Sequence, residues 1–344
     1  MGRQDEPQEP LDAGLTVDPG TLLEVRALST EFTVPGGVAR PVHDLSLSLQ
    51  AGRTLCMVGE SGSGKSVSAL SIMRLLGTPP LRRHEGEVLL TGRDLLKLDD
   101  EAMNRVRGKD IAMIFQEPMT SLNPVLTIGY QIAEVVRRHE GLGWKEAEAR
   151  AMEMLRLVRI PEPARRMREY PHQLSGGMRQ RAMIAMALSC NPKVIIADEP
   201  TTALDVTIQA QVLQLIRDLQ RRLGMALLLI THDLGVVAET ADRVIVMYAG
   251  RKIEEAPVRE LFARPLHPYT RGLLQSVPRL RSSLAAKARS RLAEISGTVP
   301  MLAELPAGCA FAARCPLADE NCRQRYPEYR VAADHAVACW KAAA

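Results

Sequence analysis

One octapeptide, GESGSGKS at Gly59–Ser66, constrains the fold of this chain more than any other feature. It matches the phosphate-binding pattern G-x-x-x-x-G-K-[ST]. Its context fits as well, because an apolar run at 54–58 precedes it and helical spacing follows from Val67. The glycines let backbone N–H groups close around phosphate oxygens, and the helix N-terminus adds its dipole. The sequence therefore predicts a strand, a phosphate-binding loop and a helix in succession.

This loop is expected to bind ATP together with Mg²⁺. Lys65 would reach the β- and γ-phosphates, and the Ser66 hydroxyl would ligate Mg²⁺. Every residue of this loop except the second one is expected to contact the nucleotide: Gly59, Ser61, Gly62, Ser63, Gly64, Lys65 and Ser66. A glycine-rich turn without a ligand is the alternative, which the flanking strand and helix disfavour.

The run VIIADEP at 194–200 is typical of a buried strand that ends in two adjacent acids. A carboxylate at such a strand end, beside a phosphate loop, can hold Mg²⁺ and its hydration shell, and we assign this role to Asp198. Glu199 follows it and is placed to orient or deprotonate the attacking water in phosphoryl transfer. The alternative is an acid pair that caps a turn, and the phosphate loop favours the catalytic role.

A second glycine loop, LSGGM at 174–178, leads straight into a predicted helix. Ser175, Gly176 and Gly177 would form another anion site at a helix N-terminus. One bound nucleotide does not need two such sites from a single chain. We therefore expect this loop to cap the γ-phosphate bound to another subunit; a glycine loop that only opens a helix is the alternative.

Strand and helix patterns alternate along the chain, which indicates an α/β fold with a largely parallel sheet. The 344 residues, 46% of them hydrophobic, suffice for a large core. No apolar run approaches the roughly 20 residues of a membrane helix. The first 20 residues are acidic, are expected to form a flexible tail and lack the apolar segment of a signal peptide. A net charge of +4 with 3% aromatic residues argues against nucleic acid as a partner.

The order of these motifs resembles that of the ATP-binding-cassette (ABC) ATPases, from residue 22 to about 255. The shared strings are GESGSGKS, Gln116, LSGGM, VIIADEP, ALD at 203–205 and His232. The resemblance implies an α/β fold with a P-loop (RecA-like) ATPase core, an antiparallel β subdomain and an α-helical signature subdomain. It also implies that Gln116 senses Mg²⁺ and contacts a membrane partner, and that His232 contacts the γ-phosphate. At the nucleotide, Asp205 would be the D-loop residue and Phe32 the ring that stacks on adenine.

Longer strings narrow the resemblance to the oligopeptide/dipeptide permease ATPases. These strings are FQEPMTSLNPVLTIGYQI at 115–132, TTALDVTIQAQVL at 201–213 and RPLHPYTRGLL at 264–274. GCAFAARCPLADENC at 308–322 and VACW at 337–340 further resemble the D-type subunit of those importers. The implied function is the ATP-hydrolysing subunit of a bacterial ABC importer for peptides. The alternative, a soluble ABC-type ATPase not linked to transport, usually carries two cassettes or long insertions within the cassette.

The resemblance also implies an organisation and a set of partners. The segments are a tail at 1–20, an ABC ATPase domain at 21–257 with its helical subdomain at about 117–188, and an extension at 258–344. The partners are a second, F-type ATPase subunit, two transmembrane permease subunits and, indirectly, a periplasmic substrate-binding protein, at the cytoplasmic face of the inner membrane. The surface after Gln116, near Met119 and Leu122, is expected to dock the membrane subunits.

Four cysteines lie within the last 36 residues: Cys309, Cys315, Cys322 and Cys339. Cytosolic thiols stay reduced, so such a cluster indicates a metal site before it indicates disulfides. Its spacings are wider than those of zinc fingers, and four thiolates suit either Zn²⁺ or an iron–sulfur cluster. The resemblance to the D-type subunit favours [4Fe–4S]. Reduced thiols in a small extension are the remaining alternative.

Overall fold

The computed structural model describes residues 20–35, 37–117, 121–202, 205–276 and 295–342. The strands within these residues are β1 (Thr21–Val34), β2 (Gly37–Gln50), β3 (Thr54–Val58), β4 (Leu81–Leu90), β5 (Arg93–Asp94), β6 (Ile111–Ile114), β7 (Val194–Asp198), β8 (Ala226–Ile230), β9 (Arg243–Tyr248), β10 (Arg251–Pro257), β11 (Arg330–Ala332) and β12 (His335–Val337). The predicted tail at 1–20 lies outside the described residues apart from Gly20.

The helices within the same residues are α1 (Lys65–Ile72), α2 (Asp100–Val106), α3 (Ile128–Glu140), α4 (Trp144–Leu157), α5 (Pro163–Arg166), α6 (Gly176–Leu188), α7 (Val206–Leu223), α8 (Leu234–Thr240), α9 (Val258–Ala263), α10 (Pro268–Gln275) and α11 (Glu320–Gln324). None of these helices combines the length and the apolar character needed to cross a bilayer. Four of them, α3 to α6, lie between β6 and β7, where the signature subdomain is predicted.

The strands form two sheets. One has four antiparallel strands in the order β2-β1-β4-β5, and the other has eight in the order β11-β12-β10-β9-β3-β8-β7-β6. The strands from β9 to β6 in the larger sheet are paired in parallel. The predicted α/β fold with an antiparallel β subdomain and helical parts is therefore confirmed.

Both faces of the parallel sheet are buried, which explains the continuous apolar runs of its strands. In β7, Ile195 and Ala197 join a core formed with the helices, including α3, α4, α6 and α7. Val194 and Ile196 point the other way, into a core shared with α1 and the antiparallel sheet. A strand covered on both sides carries no polar alternation, so its run of apolar residues ends only at Asp198.

The C-terminal extension is joined to this sheet. Residues of β10 pair with β12 at Glu254↔Val337, so the last two strands continue the cassette's own sheet. The fully buried Glu254 accepts hydrogen bonds from the backbone N–H of Leu266 (2.6 Å) and of His267 (3.0 Å), and lies 2.7 Å from His335 Nε2. The segment expected as a separate extension from residue 258 is thus anchored in the core.

Candidate nucleotide site

The phosphate loop is enclosed on two sides by backbone. Gly59 has φ +153° and Gly64 has φ +98°, conformations that glycine adopts without strain. A Cβ atom on Gly59 would lie 2.3 Å from the carbonyl oxygen of Met247 in β9, and one on Gly64 would lie 2.1 Å from that of Pro41 in β2. These contacts leave room only for glycine and fix the loop against β9 and β2, and a glycine loop that leads into a helix N-terminus suits a phosphate chain.

Lys65, at the start of α1, is held inside this loop. Its side chain is nearly buried, and Nζ donates hydrogen bonds to the carbonyl oxygens of Gly59 (2.7 Å) and Glu60 (2.9 Å). Burial lowers the pKa of Lys65, and the nearby carboxylates of Glu199 and Asp198 act against that shift. The ammonium group is thus held against the loop's own carbonyl oxygens.

The two residues predicted to hold Mg²⁺ are brought together. The Ser66 hydroxyl donates a hydrogen bond of 3.0 Å to Oδ1 of Asp198, at the C-terminal end of β7. Burial raises the pKa of Asp198, with the Ser66 hydrogen bond acting against that shift. A hydroxyl and a carboxylate are the oxygen donors that suit Mg²⁺, so this pair fits the ion expected with ATP.

Two further predicted residues, Gln116 and His232, meet at the carboxylate of Glu199. Gln116 Nε2 donates to Oε2 (3.1 Å), and His232 Nδ1 lies 3.1 Å from Oε1. The Thr202 hydroxyl also donates to Oε2 (2.9 Å), a contact that the sequence motifs do not predict. Glu199 has φ +44°, a strained conformation for this residue of the kind that clusters at functional sites. Burial acts to raise the pKa of Glu199, but the hydrogen bonds with His232 and Thr202 outweigh it and the pKa is lowered.

The second glycine loop is open to solvent. Ser175 is the N-cap of α6, and its Oγ accepts a hydrogen bond from the backbone N–H of Met178 (3.3 Å). Ser175 and Gly176 are exposed, and Gly177 faces Ile208 of α7. Within the described residues, no hydrogen bond joins this loop to the phosphate loop.

Asp205 also has a local structural contact. Its Oδ1 accepts a hydrogen bond of 2.9 Å from the backbone N–H of Ile208 and so caps α7. The other two residues of the ALD string, at 203–204, lie outside the described residues. The structure thus gives Asp205 a capping contact, and its role at the nucleotide stays a prediction.

Phe32 lies on β1, half-buried, opposite Ala39 of β2. The same strand β2 carries Pro41, whose carbonyl abuts the phosphate loop at Gly64. Phe32 therefore lies on β1, and the adjacent strand β2 contacts the phosphate loop. Adenine stacking by its ring stays a prediction.

The surface after Gln116 differs from the expectation at one position. Leu122 is 2% exposed and packs in the core with the helices, so it is not a docking residue, and Met119 lies outside the described residues. Some exposed side chains nearby are apolar: Val125 is 75% exposed, and the partly exposed rings of Tyr130 and Trp144 stack with centroids 5.1 Å apart.

The four C-terminal cysteines line one cavity, which Phe311 and Trp340 also line. Burial raises the pKa of Cys309 to about 11. Across the described part of the chain, no group of three or more His, Cys, Asp or Glu side chains is arranged to hold a metal ion. Neither the iron–sulfur cluster nor the zinc alternative gains support from this arrangement, and the metal of the cysteine cluster stays a prediction.

The phosphate loop has two contacts that the sequence motifs did not predict. The backbone N–H of Glu60 donates to the hydroxyl of Tyr269 (2.8 Å), and its carboxylate accepts two hydrogen bonds from Arg314 (2.7 and 3.0 Å). Both partners come from the C-terminal extension, where no nucleotide motif points to them.

Two family models match the chain. One, described as ABC transporter, covers residues 42–202, and the other, described as Oligopeptide/dipeptide transporter, C-terminal region, covers 253–322. The chain is 50% identical over 320 residues to the dipeptide transport ATP-binding protein DppD of Bacillus subtilis, covering 93% of this chain and 94% of that protein. It is 50% identical over 320 residues to the oligopeptide transport ATP-binding protein OppD of the same organism, covering 93% and 88%.

A solved structure with the same cassette fold is also similar. It is a dimeric, post-hydrolysis state of an ATP-binding cassette bound to ADP and Pi. The TM-score is 0.62 at 28% sequence identity, and the match covers 69% of this chain and 99% of the other.

Proposed function

This chain belongs to the ABC transporter ATP-binding proteins of the oligopeptide/dipeptide type, and from that membership we propose that it powers peptide import through a membrane permease. It is an ATPase, the ATP-hydrolysing subunit of an ABC importer. One observation supports the roles proposed for the site residues. The Glu199 carboxylate contacts Gln116, His232 and Thr202, and it follows Asp198, which is hydrogen-bonded to Ser66.

Within one site, each of these residues has a chemical task. The loop N–H groups and Lys65 bind the phosphates, and Ser66 with Asp198 holds Mg²⁺, which offsets charge on the phosphate oxygens when bound. Glu199 orients the attacking water and accepts its proton. Its lowered pKa keeps it ionised and able to accept a proton at neutral pH. His232 and Gln116 hold this carboxylate in place and sense the γ-phosphate and Mg²⁺.

The complete site takes a second cassette. Ser175 and Gly176 are exposed, and among the described residues they make no hydrogen bond to the phosphate loop of their own chain; a helix N-terminus of this kind favours an anion. The dimeric cassette described above supports pairing of this type. In an importer of the D and F type, the second cassette is an F-type homologue, and closing the pair moves the permease while hydrolysis resets it.

The permease docks on the exposed apolar surface formed by Val125, Tyr130 and Trp144. Val125 lies in the turn before α3, and Tyr130 and Trp144 lie on α3 and α4; exposed apolar side chains of this kind are typical of an interaction surface. A Val125→Cys variant should crosslink to a cytoplasmic loop of the permease, whereas Arg259→Cys, at an exposed position of α9, should not. Crosslinks confined to the cassette itself would contradict this docking.

Transport is tested with the full complex in proteoliposomes: this chain, the second cassette, both permease subunits and the binding protein on the opposite side of the membrane. We expect ATP hydrolysis to rise when the binding protein carries peptide, and peptide uptake to stop in a Glu199→Gln complex. ATP turnover that ignores permease and peptide would instead favour a soluble ABC-type ATPase not linked to transport. A peripheral position at the cytoplasmic face of the inner membrane follows from the importer function.

A second proposal concerns the four cysteines. They line one cavity, and four Cys thiolates are the usual ligands of a [4Fe–4S] cluster. Held there, Cys309, Cys315, Cys322 and Cys339 would cross-link the extension and add folding free energy. Protein purified without oxygen should be brown and contain iron and acid-labile sulfide, and Cys315→Ser should lose both while Cys190→Ser keeps them. Colourless protein with zinc, or without metal, would contradict the cluster.

A further inference from the structure

One arginine of the C-terminal extension is bound to the phosphate loop. The side chain of Arg314 is 6% exposed, and its guanidinium donates to both carboxylate oxygens of Glu60 at 2.7 and 3.0 Å. The same group donates to the carbonyl oxygens of Ser296 (2.8 Å) and Ile295 (3.1 Å). Two parallel bonds to a carboxylate fix both position and orientation, because the guanidinium is a planar fork.

A tyrosine of the extension holds the backbone at the same residue. Tyr269 is fully buried, and its ring packs edge-on against Tyr248 and Phe311 with centroids 4.7 and 5.4 Å away. Its hydroxyl accepts the hydrogen bond from the backbone N–H of Glu60. Tyr248 completes the contact, since its hydroxyl lies 3.3 Å from Arg314 Nη1. Glu60 is thus held at its backbone and at its side chain by residues far away in the chain.

We infer that the C-terminal extension positions the phosphate loop, and that Arg314 and Tyr269 are positioning residues for ATP binding. The link to the nucleotide runs through Lys65, because the carbonyl oxygen of Glu60 accepts a hydrogen bond from its ammonium group. A shift of Glu60 would therefore move the ammonium group that meets the phosphates. This inference rests on the ATPase function of the family and does not depend on which substrate is transported.

Charge gives the contact a second effect. Glu60 places a partly exposed carboxylate in a loop that must receive the negative phosphates, and Arg314 neutralises it. Without Arg314 this carboxylate would repel ATP in addition to losing its position. Removing one partner of a largely buried ion pair is costly because the other charge is left unpaired.

The contact also ties the cysteine cavity to the ATP site. Arg314 immediately precedes Cys315, one of the four thiols that line the cavity. Rearranging the loop that carries Cys315 would displace the guanidinium from Glu60. A change in the extension that moved Arg314 would therefore shift the phosphate loop at Glu60.

The test measures nucleotide affinity of the full chain alone, with Mg²⁺ and a fluorescent ATP analogue. Arg314→Ala should weaken binding by about tenfold to a hundredfold, because the unpaired Glu60 carboxylate then repels the phosphates. Arg259→Ala is the matched control, since Arg259 is an exposed arginine of α9 in the same extension. Adding Glu60→Gln to Arg314→Ala should restore much of the affinity, because it removes the unpaired charge. Affinity equal to the wild type in Arg314→Ala would overturn the inference.

A second readout covers the case in which Arg314→Ala folds poorly. Tyr269→Phe removes only the hydroxyl that accepts from Glu60, and hydrogen exchange at residues 59–66 should quicken while exchange in β7 and β8 stays unchanged. Tyr329→Phe, also in the extension, is its control. Exchange at 59–66 as slow as in the wild type would contradict the positioning role. Because no permease or peptide takes part, failure of peptide import and failure of this inference are separate results.

Discussion

The chain contains two glycine loops that each open a helix, and the structure builds them differently. At the phosphate loop, Gly64 lies against the carbonyl of Pro41, and Lys65 is nearly buried with its ammonium bonded to loop carbonyls. At the signature loop, Ser175 and Gly176 are exposed, and the Ser175 side chain only caps its own helix. The same local chemistry is thus enclosed in one place and presented outward in the other.

The difference shows how one chain can contain every motif of the ATP site and still need a second chain to complete it. Its phosphate loop and its signature loop serve two different nucleotides. The phosphate loop sits beside Ser66, Asp198 and Glu199, which supply the chemistry, so it serves the nucleotide of its own chain. The signature loop has no such neighbours among the described residues and is suited to the nucleotide of a paired cassette. Four changes test this contrast, in order of expected effect.

The largest effect is expected on ATP hydrolysis, at the residues beside the phosphate loop. Glu199→Gln removes the proton acceptor, so hydrolysis in the assembled transporter should fall by about 10²–10⁴, the usual contribution of general-base catalysis. ATP binding should persist, as measured by the affinity of the isolated chain. The matched control is Glu148→Gln, an exposed acid on α4. Turnover close to the wild type would remove Glu199 from this role.

Glycine tolerance should separate the two loops. Gly64→Ala places a Cβ atom 2.1 Å from the Pro41 carbonyl at a positive φ, so unfolding free energy should drop by about 2–6 kcal/mol. Gly177→Ala meets only Ile208 Cγ2, at 3.0 Å, and lies in the first turn of α6, where alanine favours the helix. Its stability should change by less than about 1 kcal/mol. Denaturant unfolding of both variants measures the contrast, and equal losses would break it.

A charge at the signature loop should act only through a partner. Ser175→Asp keeps a good N-cap for α6 but sets a carboxylate against the phosphates of the paired cassette. Turnover of the assembled transporter should fall by about tenfold to a hundredfold, because like charges in close approach cost several kcal/mol. Ser175→Asn, an equally good cap without charge, is the control. If Ser175→Asp weakened ATP binding by the isolated chain, the outward role would be wrong.

The smallest effect is expected at Asp205, which caps α7. Asp205→Ala should lower stability by about 1 kcal/mol, and Asp205→Asn, which still accepts the bond from Ile208, should not. A thermal shift assay measures both. If Asp205→Asn leaves stability intact but lowers turnover of the assembled transporter, the predicted role at the nucleotide gains support beyond the cap.

Much of the site could be predicted because its residues belong to short local motifs. The phosphate loop, the strand that ends at Asp198 and the helix that begins after Ser175 each follow from neighbouring residues, and the ends of parallel strands bring the first two to one edge of the sheet. Gln116 and His232 also meet at Glu199, while their roles at Mg²⁺ and the γ-phosphate stay predictions.

The features that the sequence did not predict depend on contacts between distant parts of the chain. Arg314 and Glu60 are 254 positions apart, and Glu60 occupies a position of the phosphate motif that any residue can fill. The joining of β12 to β10 likewise pairs strands that no local pattern connects. The docking expectation at Leu122 was wrong for the same reason, since which side of this segment faces the core is decided by packing against the helices.

The most direct test of the half-site account is ATP turnover per chain as a function of protein concentration. The purified chain should hydrolyse ATP poorly when dilute, with activity per chain rising as the concentration increases and rising further when the second cassette and the permease are added. This follows because each phosphate loop lacks the opposing Ser175-Gly176-Gly177 loop until a second cassette arrives. Full turnover by a dilute monomer, independent of concentration, would contradict the account.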